Sequence, residues 1–175
     1  MRKILLVIDM QNDFISGALG TPEAEAIVGR VAEEIGRYSP GNVIATRDTH
    51  GADYLKTQEG RNLPVVHCVQ GTPGWELHPQ IAAALAGSVI VDKPTFGSQK
   101  LAELLSELAK LDDLDITLLG LCTDICVVSN ALLLKAFLPE TPIHVLSDCC
   151  AGVTPESHKA ALDTMRMCQI DVREA

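Results

Sequence analysis

The stretch Ile116-Thr117-Leu118-Leu119-Gly120-Leu121-Cys122-Thr123-Asp124-Ile125-Cys126-Val127-Val128 joins an apolar run, a glycine break, a cap signal and a cysteine. The run reads as a buried strand ended by Gly120, and Thr123 or Asp124 is placed to cap the helix that follows. Cys126 then falls in the first turn of that helix. There the backbone N–H groups and the helix dipole favour a thiolate over a thiol. The same N–H groups suit an oxyanion once the sulfur has attacked a carbonyl. A lone cysteine is more often an inert core residue, so the reading depends on what the other strands bring beside it.

Similar runs lie on either side. Residues 3–8, Lys-Ile-Leu-Leu-Val-Ile, read as a strand covered on both faces with Asp9 at its tip, followed by the polar, turn-like Met10-Gln11-Asn12-Asp13-Phe14. Thr21-Pro22-Glu23 opens a helix to about Tyr38. Asn42 to Thr46 is a second strand leading to Arg47-Asp48-Thr49-His50, and a polar loop with Tyr54 leads to a third, Leu63 to His67. Cys68 to Trp75 is a glycine- and proline-punctuated loop. Residues 79–86 suit a short helix, and Ser88 to Val91 is a fourth strand with Asp92-Lys93-Pro94 at its tip. Leucines 101, 104, 105 and 108 give the helix from Ser98 to Lys110 one apolar face.

The opening stretch is the fifth strand. Its helix, running to about Leu138, is apolar nearly all round and therefore buried, under its own domain or against another subunit. Pro142 to Leu146 is the sixth strand, Ser147-Asp148-Cys149-Cys150 a turn, and Thr154-Pro155-Glu156 opens a last helix to Cys168. Strands alternating with helices predict a three-layer α/β/α doubly wound sandwich, with a mainly parallel sheet of about six strands. A length of 175 residues suits one such domain across 1–175.

Composition excludes several classes. Hydrophobic residues make up 47% and aromatics 3%, so the core is expected to be aliphatic. Lys+Arg 14 against Asp+Glu 23 gives a net charge of −9 with no basic cluster, which argues against nucleic acid. Arg2 and Lys3 precede an apolar run that Asp9 ends far short of a signal peptide, and the apolar segment 125–138 carries Asn130 and Lys135. A cytoplasmic protein without membrane contact is expected. The six cysteines, at 68, 122, 126, 149, 150 and 168, are not spaced as a disulfide framework and are expected to be reduced.

In open parallel sheets, ligands bind outside the C-terminal ends of the strands. Those ends carry Asp9, Asp48 with His50, His67, Lys93 and Cys126. Singly, each has a plain reading as a turn cap, a solvated charge or a satisfied histidine; five strands ending in reactive groups are harder to dismiss. Asp9 and Lys93 complete a nucleophile set with Cys126, in which the carboxylate takes the thiol proton and the ammonium holds the anions. Asp48 and His50 project to one side of an extended segment, and His67 one strand over makes a set of two imidazoles and a carboxylate. Such a set leaves coordination positions open and suits Zn²⁺, Fe²⁺ or Mn²⁺.

The segments Asp9-Met10-Gln11-Asn12-Asp13-Phe14, Arg47-Asp48-Thr49-His50, Pro64-Val65-Val66-His67-Cys68-Val69-Gln70-Gly71-Thr72, Lys93 and Gly120-Leu121-Cys122-Thr123-Asp124-Ile125-Cys126-Val127 resemble the isochorismatase-like cysteine hydrolases, most closely the nicotinamidases. The similarity runs along essentially the whole chain in the same order. It implies a triad of Asp9 (general base), Lys93 and Cys126 (nucleophile), with Asp48, His50 and His67 holding a divalent metal, zinc first and iron or manganese next. It further implies a cis peptide at Leu121–Cys122 that aims the N–H of Cys122 alongside that of Cys126 as an oxyanion hole. Phe14 would pack beside the substrate ring. Two departures bear on the substrate: only 16 residues separate His50 from His67, and the aromatic wall usual in that segment is represented by Tyr54.

The resemblance thus implies hydrolysis of nicotinamide, or a similar small carboxamide, to the acid and ammonia through a thioester on Cys126. That would place the protein in NAD salvage, as a homo-oligomer with a small-molecule partner. The alternatives are an amidase for a ureido or maleamate compound and a non-catalytic metal-binding scaffold.

Overall fold

The computed structural model describes residues 1–175. Runs of aliphatic residues form the inner strands: β1 (Arg2–Ile8), β2 (Val43–Asp48), β3 (Val89–Lys93), β4 (Leu114–Leu121), β5 (Ile143–Ala151) and β6 (Asp171–Arg173). They pair in the order β3-β2-β1-β4-β5-β6, every pair parallel. The strand order reverses between β1 and β4, so a crevice opens outside the C-terminal ends of those two strands. Both are nearly continuous apolar runs because both of their faces are covered.

The helices are α1 (Asn12–Ile15), α2 (Pro22–Ile35), α3 (Gln58–Asn62), α4 (Pro79–Ala84), α5 (Gln99–Ala109), α6 (Val128–Phe137) and α7 (Pro155–Met167). α2 packs on α4 and β5, while α6 lies between α5 and α7, giving the outer layers of the sandwich. Their starts follow from local chemistry. Thr21 accepts a bond from the N–H of Ala24 with Pro22 behind it, Ser98 accepts from Leu101, and Thr154 and Ser157 cap reciprocally ahead of α7. No helix is long and apolar enough to cross a membrane.

Gly120 is required by geometry. Its φ is +118°, and a Cβ there would run into the carbonyl oxygen of Ile8 on β1. β4 can therefore pass beside β1 at this position only with a residue that lacks a side chain.

Three expectations are corrected. Residues 63–67 form no strand: Pro64 has no N–H, the N–H of Val65 turns back to the carbonyl of Leu63 at 2.8 Å, and the only pairing nearby is a single bridge between His50 and Val69. The sixth strand is instead β6, too short to stand out as a pattern. Ser147 to Cys150 are not a turn but continue β5, whose Cys149 and Cys150 are buried. Neither Thr123 nor Asp124 caps a helix: the Thr123 hydroxyl pairs with His158 Nδ1 at 2.7 Å, and the Asp124 carboxylate accepts from the N–H of Val153. Residues Thr123–Val127 form a wide turn instead, with the N–H of Val127 reaching back to Cys122. It runs directly into α6.

Candidate active site

Asp9 follows the last residue of β1 in a left-handed conformation, with φ at +46°. Its carboxylate is held in place from β2: the hydroxyl of Thr46 donates to Asp9 Oδ1 at 2.6 Å. Lys93 ends β3 in register with Asp48, and its ammonium lies 2.7 Å from Asp9 Oδ2 and 3.3 Å from Cys126 Sγ. Its third neighbour is the carbonyl of Thr95. The three groups expected to form a nucleophile set are thus one chain of contacts, with Asp9 fully buried, Lys93 1% exposed and Cys126 4% exposed.

Burial dominates the electrostatics. It pushes the Asp9 carboxyl up, while Lys93 and the Thr46 hydroxyl pull it back. Burial lowers the Lys93 ammonium's value, but the charges of Asp9, Cys126 and Asp48 outweigh it and raise the value overall. The Cys126 thiol is held well above its ordinary range by burial and by Asp9, with Lys93 opposing. Burial and Asp9 thus oppose the thiolate that a helix terminus favours. The proton must leave when the sulfur reacts.

The second group lies alongside. Asp48, His50, Glu59 and His67 each offer one ligand atom, all within 4.8 Å of one another. His50 Nε2 stands 2.9 Å from Asp48 Oδ2 and 3.5 Å from Glu59 Oε1, and His67 Nε2 is 3.7 Å from both carboxylates. The chemistry of these atoms suits a cation. His67 Nδ1 is bonded to the carbonyl of Val65 at 2.8 Å, which leaves Nε2 as the lone pair facing the cluster, and His50 Nε2 is buried with no hydrogen-bond partner. Two imidazole nitrogens and two carboxylates can hold a divalent metal. Without one, burial opposes charge on Asp48, but the nearby imidazoles of His50 and His67 and the charge of Lys93 keep it well below the usual carboxylate range. Burial likewise opposes charge on His67, and the Asp48 carboxylate, with the carbonyl of Val65, raises it.

Asp48 joins the two groups, because its Oδ1 lies 3.5 Å from the Lys93 ammonium. Gln11 sets its position: the side-chain amide donates to the carbonyls of Asp48 and Trp75, and its oxygen accepts from the N–H of Asp48 at 2.7 Å. Asn130 does the same for Cys126, donating to its carbonyl at 2.8 Å and accepting from the N–H of Ser98. The Leu121–Cys122 peptide is cis. Cys122 and Cys126 both line a cavity of about 600 Å³, together with Asp48, Glu59 and His67.

Phe14 lines that cavity too, its ring 5.5 Å from that of His67. Tyr54 does not, and its expected place as a substrate wall is corrected. The side chain is buried behind the histidines, with its ring 4.6 Å from His50 and 4.9 Å from His67, and its hydroxyl donates to the carbonyl of Leu63 at 2.9 Å. Sequence reasoning also missed Glu59. It arrives on α3, which packs against the segment carrying Tyr54, and nothing in its local sequence marks it as a ligand. Gln11 was visible only as one residue of a polar, turn-like segment, and Asn130 only as a polar residue in an apolar one.

A doubly wound parallel sheet with a buried Asp-Lys-Cys chain beside a four-ligand cluster defines the class: a three-layer α/β protein whose chemistry sits at the strand tips. More narrowly, the chain belongs to the isochorismatase family, since the model for the isochorismatase domain matches residues 3–175. It is 28% identical to the nicotinamidase/pyrazinamidase of Mycobacterium tuberculosis over 186 residues, covering 97% of each chain. Among solved structures, the nicotinamidase/pyrazinamidase of Bacillus subtilis superposes with a TM-score of 0.85 at 28% identity, over 99% of this chain and 100% of that one. The pyrazinamidase of Pyrococcus horikoshii in complex with zinc gives 0.79 at 28% identity, over 100% of both chains.

Proposed function

We propose that this protein is a cysteine amidohydrolase that converts nicotinamide, or a closely similar small carboxamide, to the carboxylic acid and ammonia. The observation that carries this reading is the unbroken contact chain from Asp9 through Lys93 to Cys126 on the wall of a cavity shared with the Asp48 cluster. Relatives named nicotinamidase favour it over a ureido or maleamate amidase and over a non-catalytic scaffold.

In the proposed sequence, Asp9 takes the thiol proton as Cys126 Sγ attacks the amide carbon. Lys93 balances the charge throughout. The N–H groups of Cys122 and Cys126 bind the oxygen of the tetrahedral adduct. Collapse of the adduct breaks the C–N bond, the proton held by Asp9 passes to the departing nitrogen, and ammonia leaves a thioester on Cys126. A water molecule, deprotonated by Asp9, then attacks the thioester and releases the acid and the thiol.

Asp48, His50, Glu59 and His67 would hold the metal, for which zinc is our assignment; it would bind and orient a ring nitrogen of the substrate. Phe14 would pack on the substrate ring. The six free cysteines fit a reducing, cytoplasmic compartment. We assign the whole chain to one catalytic domain, and the partly covered apolar face of α6, with Val128, Leu132 and Leu133 half-buried and Phe137 exposed, to contact with a second copy. The decisive experiment measures ammonia release from nicotinamide by the purified protein, with metal content determined on the same sample. No release from the metal-loaded protein would overturn the reading.

A further inference from the structure

We propose that this site takes carboxamides larger than nicotinamide: pyridine-3-carboxamides carrying an apolar substituent at ring position 5. The proposal rests on the amidase reading above and narrows its substrate class. Nicotinamide has nine non-hydrogen atoms. Even at the ~30 Å³ that a water molecule takes up in the liquid, they would fill less than half of a cavity of about 600 Å³. A volume of that size lies within the ~300–1,000 Å³ range of pockets that enclose drug-sized ligands.

The lining says what the remaining space would accept. Ionisable groups are confined to Cys122, Cys126, Asp48, Glu59 and His67, and among the other residues lining the cavity only Thr21, Gln58 and Asn62 have polar side chains, all uncharged. Leu19, Ala24, Phe96, Ile125 and Val153 offer it an apolar surface. Phe96 is 45% and Val153 52% exposed, so a substituent reaching them would remove further apolar area from water. Tyr54, whose ring could have narrowed this space, is turned behind the histidines instead.

Ring geometry selects the position. With the carboxamide at Cys126 and the ring nitrogen towards the Asp48 cluster, both anchors flank ring carbon 2, and carbon 5 lies on the opposite side of the ring. A group there leaves both anchors free, whereas one on carbon 2 or 6 crowds the nitrogen and one on carbon 4 crowds the carboxamide.

The test compares kcat/KM for nicotinamide, 5-propylnicotinamide and 5-phenylnicotinamide, followed by ammonia release. Calorimetric binding of nicotinate and 5-phenylnicotinate to the wild-type protein accompanies it. At about fourfold per buried methylene, the propyl compound should exceed nicotinamide at least tenfold in kcat/KM, and the phenyl acid should bind at least tenfold tighter than nicotinate. Val153→Trp, which puts a larger side chain on the cavity lining, should cut the ratio of substituted to plain substrate at least tenfold; the acid-binding comparison needs no variant. Turnover of nicotinamide with both derivatives tenfold or more worse, and no tighter binding of the phenyl acid, would overturn this proposal and leave the amidase reading intact. No ammonia from any of the three amides would overturn both.

Discussion

The two halves of the site are built by different means. Lys93 ends β3, Asp9 directly follows β1 and Cys126 lies in the turn after β4, and ladder pairs such as Asp48 with Lys93 and Ile8 with Gly120 set these strand tips against their neighbours. The ligand cluster takes only Asp48 from a strand. His50, Glu59 and His67 come from a connecting segment whose longest regular element is the five-residue α3, anchored by side-chain bonds from Tyr54 and Thr57. Position set by a sheet ladder is rigid and repeats what the strand pattern says. Position set by loop packing depends on a few contacts and can be changed one contact at a time.

If that contrast is right, the strand-borne half should fail chemically before it fails structurally. Cys126→Ala should lower turnover by about 10⁴-fold or more, and Asp9→Asn by about 10³-fold because an amide cannot accept the thiol proton. Circular dichroism should show both variants folded. Activity above a trace in Cys126→Ala would remove the covalent mechanism.

The loop-borne half should give a binding phenotype. Chelation, or His67→Ala, should raise KM for nicotinamide by about 10- to 100-fold with a smaller change in kcat, and Glu59→Gln should weaken metal retention measured by dialysis. Benzamide has no ring nitrogen to be oriented, so it should be a poor substrate that responds little to chelation. Equal losses for benzamide and nicotinamide would mean that the ion polarises the carbonyl or holds the fold.

The same contrast explains what could be read from the sequence. The apolar runs ending at Asp9, Lys93 and Gly120 are long enough to show strands, and a parallel sheet brings their tips together without further information. Residues 63–67 had the composition of a strand but no neighbour to pair with, since His50 offers only one bridge to Val69. His67 nevertheless lies beside Asp48 and His50, because the cluster needs proximity and not a ladder. Glu59 was invisible because its approach depends on α3 packing against the backbone of Tyr54, where Gly60 leaves no room for a side chain. The pull of burial against a thiolate on Cys126 was hidden for a different reason. Helix position is visible in sequence, whereas complete burial beside a carboxylate is not.

That opposition gives a pH test. Burial and Asp9 raise the Cys126 thiol, so the folded protein keeps its proton at pH values where an unfolded chain has lost it. Alkylation of Cys126 by iodoacetamide, followed by peptide mass analysis to separate it from exposed Cys168, should be slow at neutral pH. Its rate should climb about tenfold per pH unit and still be rising above pH 9, because the thiolate fraction grows by that factor below the pKa. A plateau by pH 7 would show that Lys93 and the helix terminus prevail over burial.

The smallest expected effect discriminates most finely between the two halves. If Tyr54 supports the loop and does not touch substrate, Tyr54→Phe removes one hydrogen bond, to the carbonyl of Leu63, and leaves the ring packed on His50 and His67. Such a bond is worth about 1 kcal/mol, which in a chain of this size lowers the melting temperature by about 2–4 °C. The variant should show that shift together with a KM for nicotinamide within about twofold of wild type. It should also lose metal somewhat faster, because Leu63 leads through Pro64 and Val65 to His67, whose Nδ1 is held by the carbonyl of Val65. A KM raised tenfold at an unchanged melting temperature would put the hydroxyl against the substrate. The segment between His50 and His67 would then belong to the recognition surface and not to its support.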